Sequence, residues 1–223
     1  MADYKPLQNI AYEYIREKVY SRELEFGMIY SETRLARELS ISRTPIRDAL
    51  NRLSRERYID ILPNKGFMLH KPSRKETQEA YHVRMMIECY CGEHLAKNIA
   101  TDEAQATLAH MEQCHETQVA LLNCESRVDL RRFWEADYDF HIALLHHMDF
   151  SATNMQYDSF MHIFMPQYLK DDYVLGRNHS TIVEHNAILQ GLKTGDPQKA
   201  HSAIEKHLDS SFRLCLLNAQ LDE

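Results

Sequence analysis

The sequence predicts a mainly α-helical protein in two parts. A small N-terminal unit of three helices and a β-hairpin is followed by an all-helical bundle of about six helices. Three observations carry that expectation. Glycine and proline number only six each among 223 residues, so few breakers interrupt long helices. Apolar residues recur at helical spacing over most of the chain, with one short strand-like stretch. The net charge of −7 is unevenly placed, with +5 on residues 1–75 and −12 on residues 76–223. That division expects a polyanion to meet the first part alone.

From Leu7, apolar side chains at Ile10, Ala11, Tyr14, Ile15 and Val19 mark a first helix. Residues 23–30 contain Gly27 and read as a connector. Ser31 is placed to cap a second helix by accepting a bond from an orphan N–H. Leu35, Ala36 and Leu39 form that helix's buried stripe. A third helix is expected from near Thr44. Pro45 suits a first helical position, where its missing N–H would be unpaired anyway. Ile46, Ala49, Leu50 and Leu53 then share one face and leave Arg43, Arg47 and Arg55 elsewhere.

Residues 58–62 and 67–70 read as strands around the turn Pro63-Asn64-Lys65-Gly66. Three helices and such a hairpin make a winged helix-turn-helix, whose last helix enters the major groove of duplex DNA. In that arrangement Arg43 and Arg47 reach base edges or phosphates. The wing tip, Lys65-Gly66, lies against the backbone or minor groove. The alternative is a helical hairpin with solvated arginines, and the co-occurrence of turn, proline, arginines and wing weighs against it.

Residues 73–77 form a short polar linker between domains expected at 1–72 and 78–223. Beyond it, periodicity marks helical stretches at about 74–98, 102–124, 128–148, 152–171, 178–194 and 197–219. Asp102, Asp196 and Pro197 are start signals, and Gly176 and Gly195 are stops. No glycine-rich phosphate loop, Gly-x-Ser-x-Gly elbow or internal repeat is evident. The five cysteines (89, 91, 114, 124 and 215) are odd in number and include no Cys-x-x-Cys pair. Reduced intracellular thiols fit that pattern better than a disulfide framework or a zinc knuckle. With no segment near 18 apolar residues and no secretory-signal order at the N-terminus, a soluble cytoplasmic protein is expected.

Twelve of the 13 histidines lie in the acidic part. Asp137 and His141 are four apart, so they share one helix face. His185 and His207 sit in the middle of the fifth and sixth helical stretches. Three imidazoles and one carboxylate from three helices can converge inside a bundle on one divalent ion. Zinc suits the set, and nickel, manganese or iron also fit. An Asp-x-x-x-His pair also arises by chance on helical surfaces. Here the neighbours Phe140, Ile142, Leu144 and Leu145 argue that this helix is buried. The remaining histidines, among them His146, His147, His162 and His179, read as surface residues or as supports to a site. Tyr168 and Tyr173 either line a pocket or pack.

The run S-x-x-x-L-A-x-x-L-x-x-S-R-T-P-I-R-D-A-L-x-R-L, with Asn-Lys-Gly in the wing, resembles the DNA-binding domain of GntR-family bacterial regulators over residues 7–70. The resemblance places DNA contacts at Ser42, Arg43, Thr44, Arg47, Lys65 and Gly66. Thr33 stands where relatives often carry Arg, which puts a contact from the second helix in question. D-Y-D-F-H (137–141), E-H-N-A-I-L-Q-G-L-K-T-G-D (184–196) and the stretch around 201–207 resemble the all-helical FCD effector domain of the FadR subfamily. Its metal ligands fall on Asp137, His141, His185 and His207. V-R-M-M-I-E (83–88) resembles that subfamily's V-R-x-x-x-E, which makes Arg84 a partner for an effector carboxylate. An intrahelical Arg84–Glu88 pair is the equal alternative. Asn154 is placed near the pocket by the same resemblance.

The resemblance implies a transcription regulator, most often a repressor. It would be a homodimer on a near-palindromic duplex operator, controlled by a small organic acid at the metal site and found in the cytoplasm on the nucleoid. A regulator that senses the metal itself, and a metalloenzyme fused to a DNA reader, are the alternatives.

Overall fold

The computed structural model describes residues 6–21, 23–122, 126–149, 157, 161 and 171–220. It divides into two compact units, Met1–Lys71 and Pro72–Glu223. Among the described residues, no helix is long and apolar enough to cross a membrane.

The first unit contains α1 (Leu7–Tyr20), α2 (Glu32–Glu38), α3 (Arg43–Arg55), β1 (Ile59–Leu62) and β2 (Gly66–Leu69). Ile15, Val19, Leu35, Ile46, Leu50 and Leu53, from the stripes that the helical spacing marks, form its core with Ile59 and Phe67 of the strands, while Ile10 is exposed. Pro45 is the third residue of α3, within the first turn, so no intrahelical bond is lost. Ser31 takes the N-cap position of α2 in an extended conformation but makes no capping bond with its side chain.

The two strands pair antiparallel, with Ile59 opposite Leu69 and Leu62 opposite Gly66. Tyr30 exchanges both backbone bonds with Phe67 (2.7 and 3.0 Å) and so ties the connector to the wing. Gly66, at φ +127°, lies beside that bridge, and a Cβ there would overlap the Tyr30 carbonyl oxygen. Fold alone therefore requires glycine at this position.

The second unit contains α4 (Arg74–Lys97), α5 (Asp102–Leu121), α6 (Arg127–His147), α7 (Asp171–Lys193) and α8 (Pro197–Gln220). A capping box between Ser73 and Glu76 starts α4, while Thr101 and Ser126 cap α5 and α6. Gly195 (φ +69°) ends α7, and Asp196 Oδ1 accepts from the Gln198 N–H to start α8. Helix α7 begins seven residues before the expected 178, because Gly176 lies inside it and does not stop it. One interior glycine costs about 1 kcal/mol, which a well-packed helix absorbs. The stretch expected at 152–171 falls outside the described residues except for Tyr157, Met161 and the start of α7, and Asn154 lies outside them too.

Helix α8 packs on α4 and α7, and α5 pairs with α6. Leu95, Met111, Phe140, Leu144, Leu192 and Ile204 are buried between them. Gly191 permits the α7–α8 crossing, where a Cβ would stand 3.0 Å from the Lys199 carbonyl oxygen. Cys89, Cys91 and Cys114 are buried free thiols within this core. Burial pushes the Cys89 and Cys91 thiols up to about 12, which leaves them protonated.

Candidate metal centre and recognition helix

All five described helices of the second unit send a polar side chain into its centre. His141 (α6), His185 (α7) and His207 (α8) are buried, and one ring nitrogen of each lies within 4.8 Å of the other two. The Nε2 atoms of His141 and His207 are 3.1 Å apart. Phe140 stacks flat on His185, with ring centroids 3.9 Å apart, and so fixes that ring's plane.

The outward nitrogens decide what the inward ones carry. His141 Nδ1 meets Glu88 Oε2 at 2.6 Å, and His185 Nδ1 meets Gln118 Oε1 at 2.8 Å. Both partners are acceptors, so each Nδ1 holds the proton. Gln118 is oriented in turn by donating from its amide nitrogen to Asp137 Oδ1 at 3.2 Å. His207 Nδ1 lies 2.9 Å from Glu184 Oε2 and 3.3 Å from Arg177 Nη2. The nearer carboxylate takes the Nδ1 proton, while Arg177 donates to Ser211 Oγ at 2.6 Å.

Three Nε2 lone pairs are thereby turned towards one another. Burial pushes His185 and His207 well below the ordinary imidazole value, so protonation is a poor way to relieve that crowding. Among the described residues His185 Nε2 is buried without a hydrogen-bond partner, 3.6 Å from Asp137 Oδ1. An unpaired buried polar atom costs about 1–3 kcal/mol. A divalent cation among these nitrogens removes both problems, so the donor set fits a metal site. Imidazoles whose far nitrogen is held by a carboxylate or amide are the usual form of such ligands.

Glu88 is the hub behind the site. Fully buried, it accepts from Arg84 Nε at 2.6 Å and from the Tyr157 hydroxyl at 2.5 Å, besides His141. The Arg84 guanidinium and His141 offset its burial and hold its carboxyl well below the usual range. The intrahelical Arg84–Glu88 pair is thus present. Arg84 also lines a cavity beside the histidines, together with Asp137, Arg177, Thr181, Trp134 and Ser211. This cavity is small, about 30 Å³.

Sequence reasoning named the three histidines and Asp137 but missed Glu88 as a support, Gln118, Arg177 and Thr181. One signal was available. Arg177, Thr181 and His185 are spaced by four, as are His207 and Ser211, so each set shares a helix face. His146 and His179 are exposed, as expected of surface residues, and His147 is half-buried beside His94.

In the first unit, α3 presents Ser42 at its N-cap, then Arg43, Thr44 and Arg47, all exposed. Glu32 Oε2 receives Arg47 Nε at 2.9 Å and Arg43 Nη2 at 3.3 Å. The hydrogen bond from Arg47 is the main cause holding the Glu32 carboxyl below its usual value. Both arginine side chains remain more than half exposed, so these pairs are worth at most about 1 kcal/mol each. Arg34 pairs with Glu38 on its own helix at 2.9 Å. Lys65 is exposed at the wing tip.

A winged helix with exposed arginines, in one chain with a bundle built around buried histidines, has the make-up of a DNA-binding regulator with a second, helical domain. Residues 7–69 match the gntR family of bacterial regulatory proteins, and residues 79–210 match the FCD domain. The chain belongs to that family, in the branch that carries an FCD domain, and is therefore a transcription regulator and not an enzyme.

The gluconate operon transcriptional repressor of Bacillus subtilis is 27% identical over 208 residues, 90% of this chain and 81% of that one. The HTH-type transcriptional repressor RspR of Escherichia coli is 23% identical over 217 residues, 92% of this chain and 86% of that one. Among solved structures, E. coli McbR/YncC superposes with a TM-score of 0.77 at 17% identity, covering 96% of this chain and 98% of that one. At these identities the structural likeness speaks for the fold.

Proposed function

We propose that this regulator is a repressor whose hold on operator DNA is controlled by a small organic acid bound beside a metal ion. One observation carries the reading: three buried imidazoles converge, and one of them, His207, lines a cavity together with Asp137 and two guanidiniums, Arg84 and Arg177. His141, His185 and His207 would hold the ion and Asp137 would complete the set, with zinc the first candidate among the divalent metals. When bound, the ion supplies a Lewis-acidic position for a carboxylate oxygen. Arg84 and Arg177 orient the acid from the opposite side.

On the DNA side, Ser42, Arg43, Thr44, Arg47 and Lys65 make the contacts, and the Gly66 backbone lets the wing approach. Two copies would read a near-palindromic site in the cytoplasm, as helix-turn-helix geometry favours. The acid changes affinity only by binding two arrangements of the protein unequally.

Footprinting on the promoter of the protein's own gene and its neighbours tests this. Protection that a carboxylic acid relieves is expected, and no protection at any of these promoters would count against the reading. Titrating the metal at fixed acid separates an effector-holding ion from a sensed one.

A further inference from the structure

A second pair of imidazoles lies outside the central histidine cluster. His94 is in the last turn of α4, and His147 is the last residue of α6. Their ring centroids are 5.6 Å apart, with the planes at 52°. The three rings of the central cluster stand 4.7–5.1 Å from one another. A tetrahedral ion about 2.1 Å from one nitrogen of each of two rings sets their centroids about 5 Å apart. The outer pair is therefore spaced to share one ion.

The hydrogen bonds around the pair leave nitrogen lone pairs for it. Thr107 Oγ1 donates its proton to the Glu103 carbonyl oxygen at 3.0 Å. It can then only accept from His147 Nδ1, 3.4 Å away, so that nitrogen carries the ring proton. Nε2 of His147 keeps its lone pair, and among the described residues it is buried without a hydrogen-bond partner. Beside His94, the Asn98 amide nitrogen stands 3.4 Å from both ring nitrogens, beyond the usual length of a hydrogen bond. It donates instead to the His94 carbonyl oxygen at 2.8 Å.

The electrostatics favour a cation here. Both rings belong to helix C-termini, where unpaired carbonyls carry partial negative charge. Two protonated imidazoles side by side repel, whereas one ion between two neutral rings serves both helix ends. Burial is the main cause holding His147 below the ordinary imidazole value, and the charge of His94 adds to it. The opposing charge is Glu103, an exposed carboxylate one turn before Thr107.

We infer that His94 and His147 bind a divalent transition-metal ion separate from the central cluster, with water and the Glu103 side chain for its remaining positions. Imidazole ligands suit zinc, copper or nickel, whereas magnesium and calcium take oxygen. The ion joins the ends of the two helices that carry Glu88 and His141. This site stands whether or not the central cluster holds a metal.

The test is equilibrium dialysis of the full-length protein against a zinc series in excess magnesium, with bound zinc counted per chain. Wild type is expected to bind one zinc more than His94→Ala and one more than His147→Ala. Either substitution should weaken that ion at least about tenfold. His94→Gln keeps a polar side chain without an imidazole, guards against a folding defect, and should lose the ion as His94→Ala does. Equal zinc content in wild type and in all three variants would overturn the assignment, and so would release of the ion by magnesium.

Discussion

The two polar clusters of this chain use the same kind of pair at opposite extremes of exposure. Glu32 joins Arg43 and Arg47 at the surface, with both guanidiniums more than half exposed. Glu88 joins Arg84, His141 and Tyr157 where Arg84 is 3% and Glu88 0% exposed. Water and salt screen the first set, so little holds it against exchange for another anion, the DNA backbone in the proposed function. The second set has no solvent to fall back on, so its geometry is held by its own partners. In the proposed function an adjustable contact surface and a fixed buried centre are set apart by burial.

The largest contrast should come from removing the acidic hub of each cluster. Glu88→Gln leaves Arg84 buried beside a neutral amide and should lower stability by about 3–5 kcal/mol in denaturant melts. Loss of a ligand comes next. His141→Ala should weaken metal binding at least about 100-fold, read as metal content after dialysis, and Gln118→Ala about 10–100-fold through loss of the His185 support. Arg47→Ala should cost about 1–3 kcal/mol of operator affinity in a fluorescence titration and relax the preference at one base pair.

The metal-free bundle should also respond to acid. The folded values of His185 and His207 lie below the unfolded value near 6.5, so the unfolded chain binds more protons at low pH. The stability this contributes is complete above about pH 6.5 and is lost as pH falls towards the depressed values. A melting temperature that rises between pH 7 and 5 would contradict the buried, neutral assignment. The smallest effect should be Glu32→Gln, within about 1 kcal/mol in stability. An effect there as large as at Glu88 would break the comparison.

Much of this was legible in the sequence because helical periodicity and ligand spacing are local. Asp137 and His141 declare themselves at i, i+4, and the stripe Ile46, Ala49, Leu50, Leu53 fixes which side of α3 faces out. The supports were hidden because they come from other helices. Nothing local says that Gln118 of α5 meets His185 of α7, or that Glu88 of α4 meets His141 of α6. The start of α7 was misjudged because tertiary packing overrides the preference of one glycine. Arg84 was left between two roles, and the structure shows the Glu88 pair in a side chain that also lines the cavity.

The central claim is that the histidine centre controls the DNA-binding surface. The direct measurement is operator affinity of the zinc-loaded wild type and of His207→Ala, each with and without a panel of small carboxylic acids. The account predicts that an acid of the panel weakens DNA binding by the wild type and leaves the variant unmoved. An equal response from both proteins would contradict it.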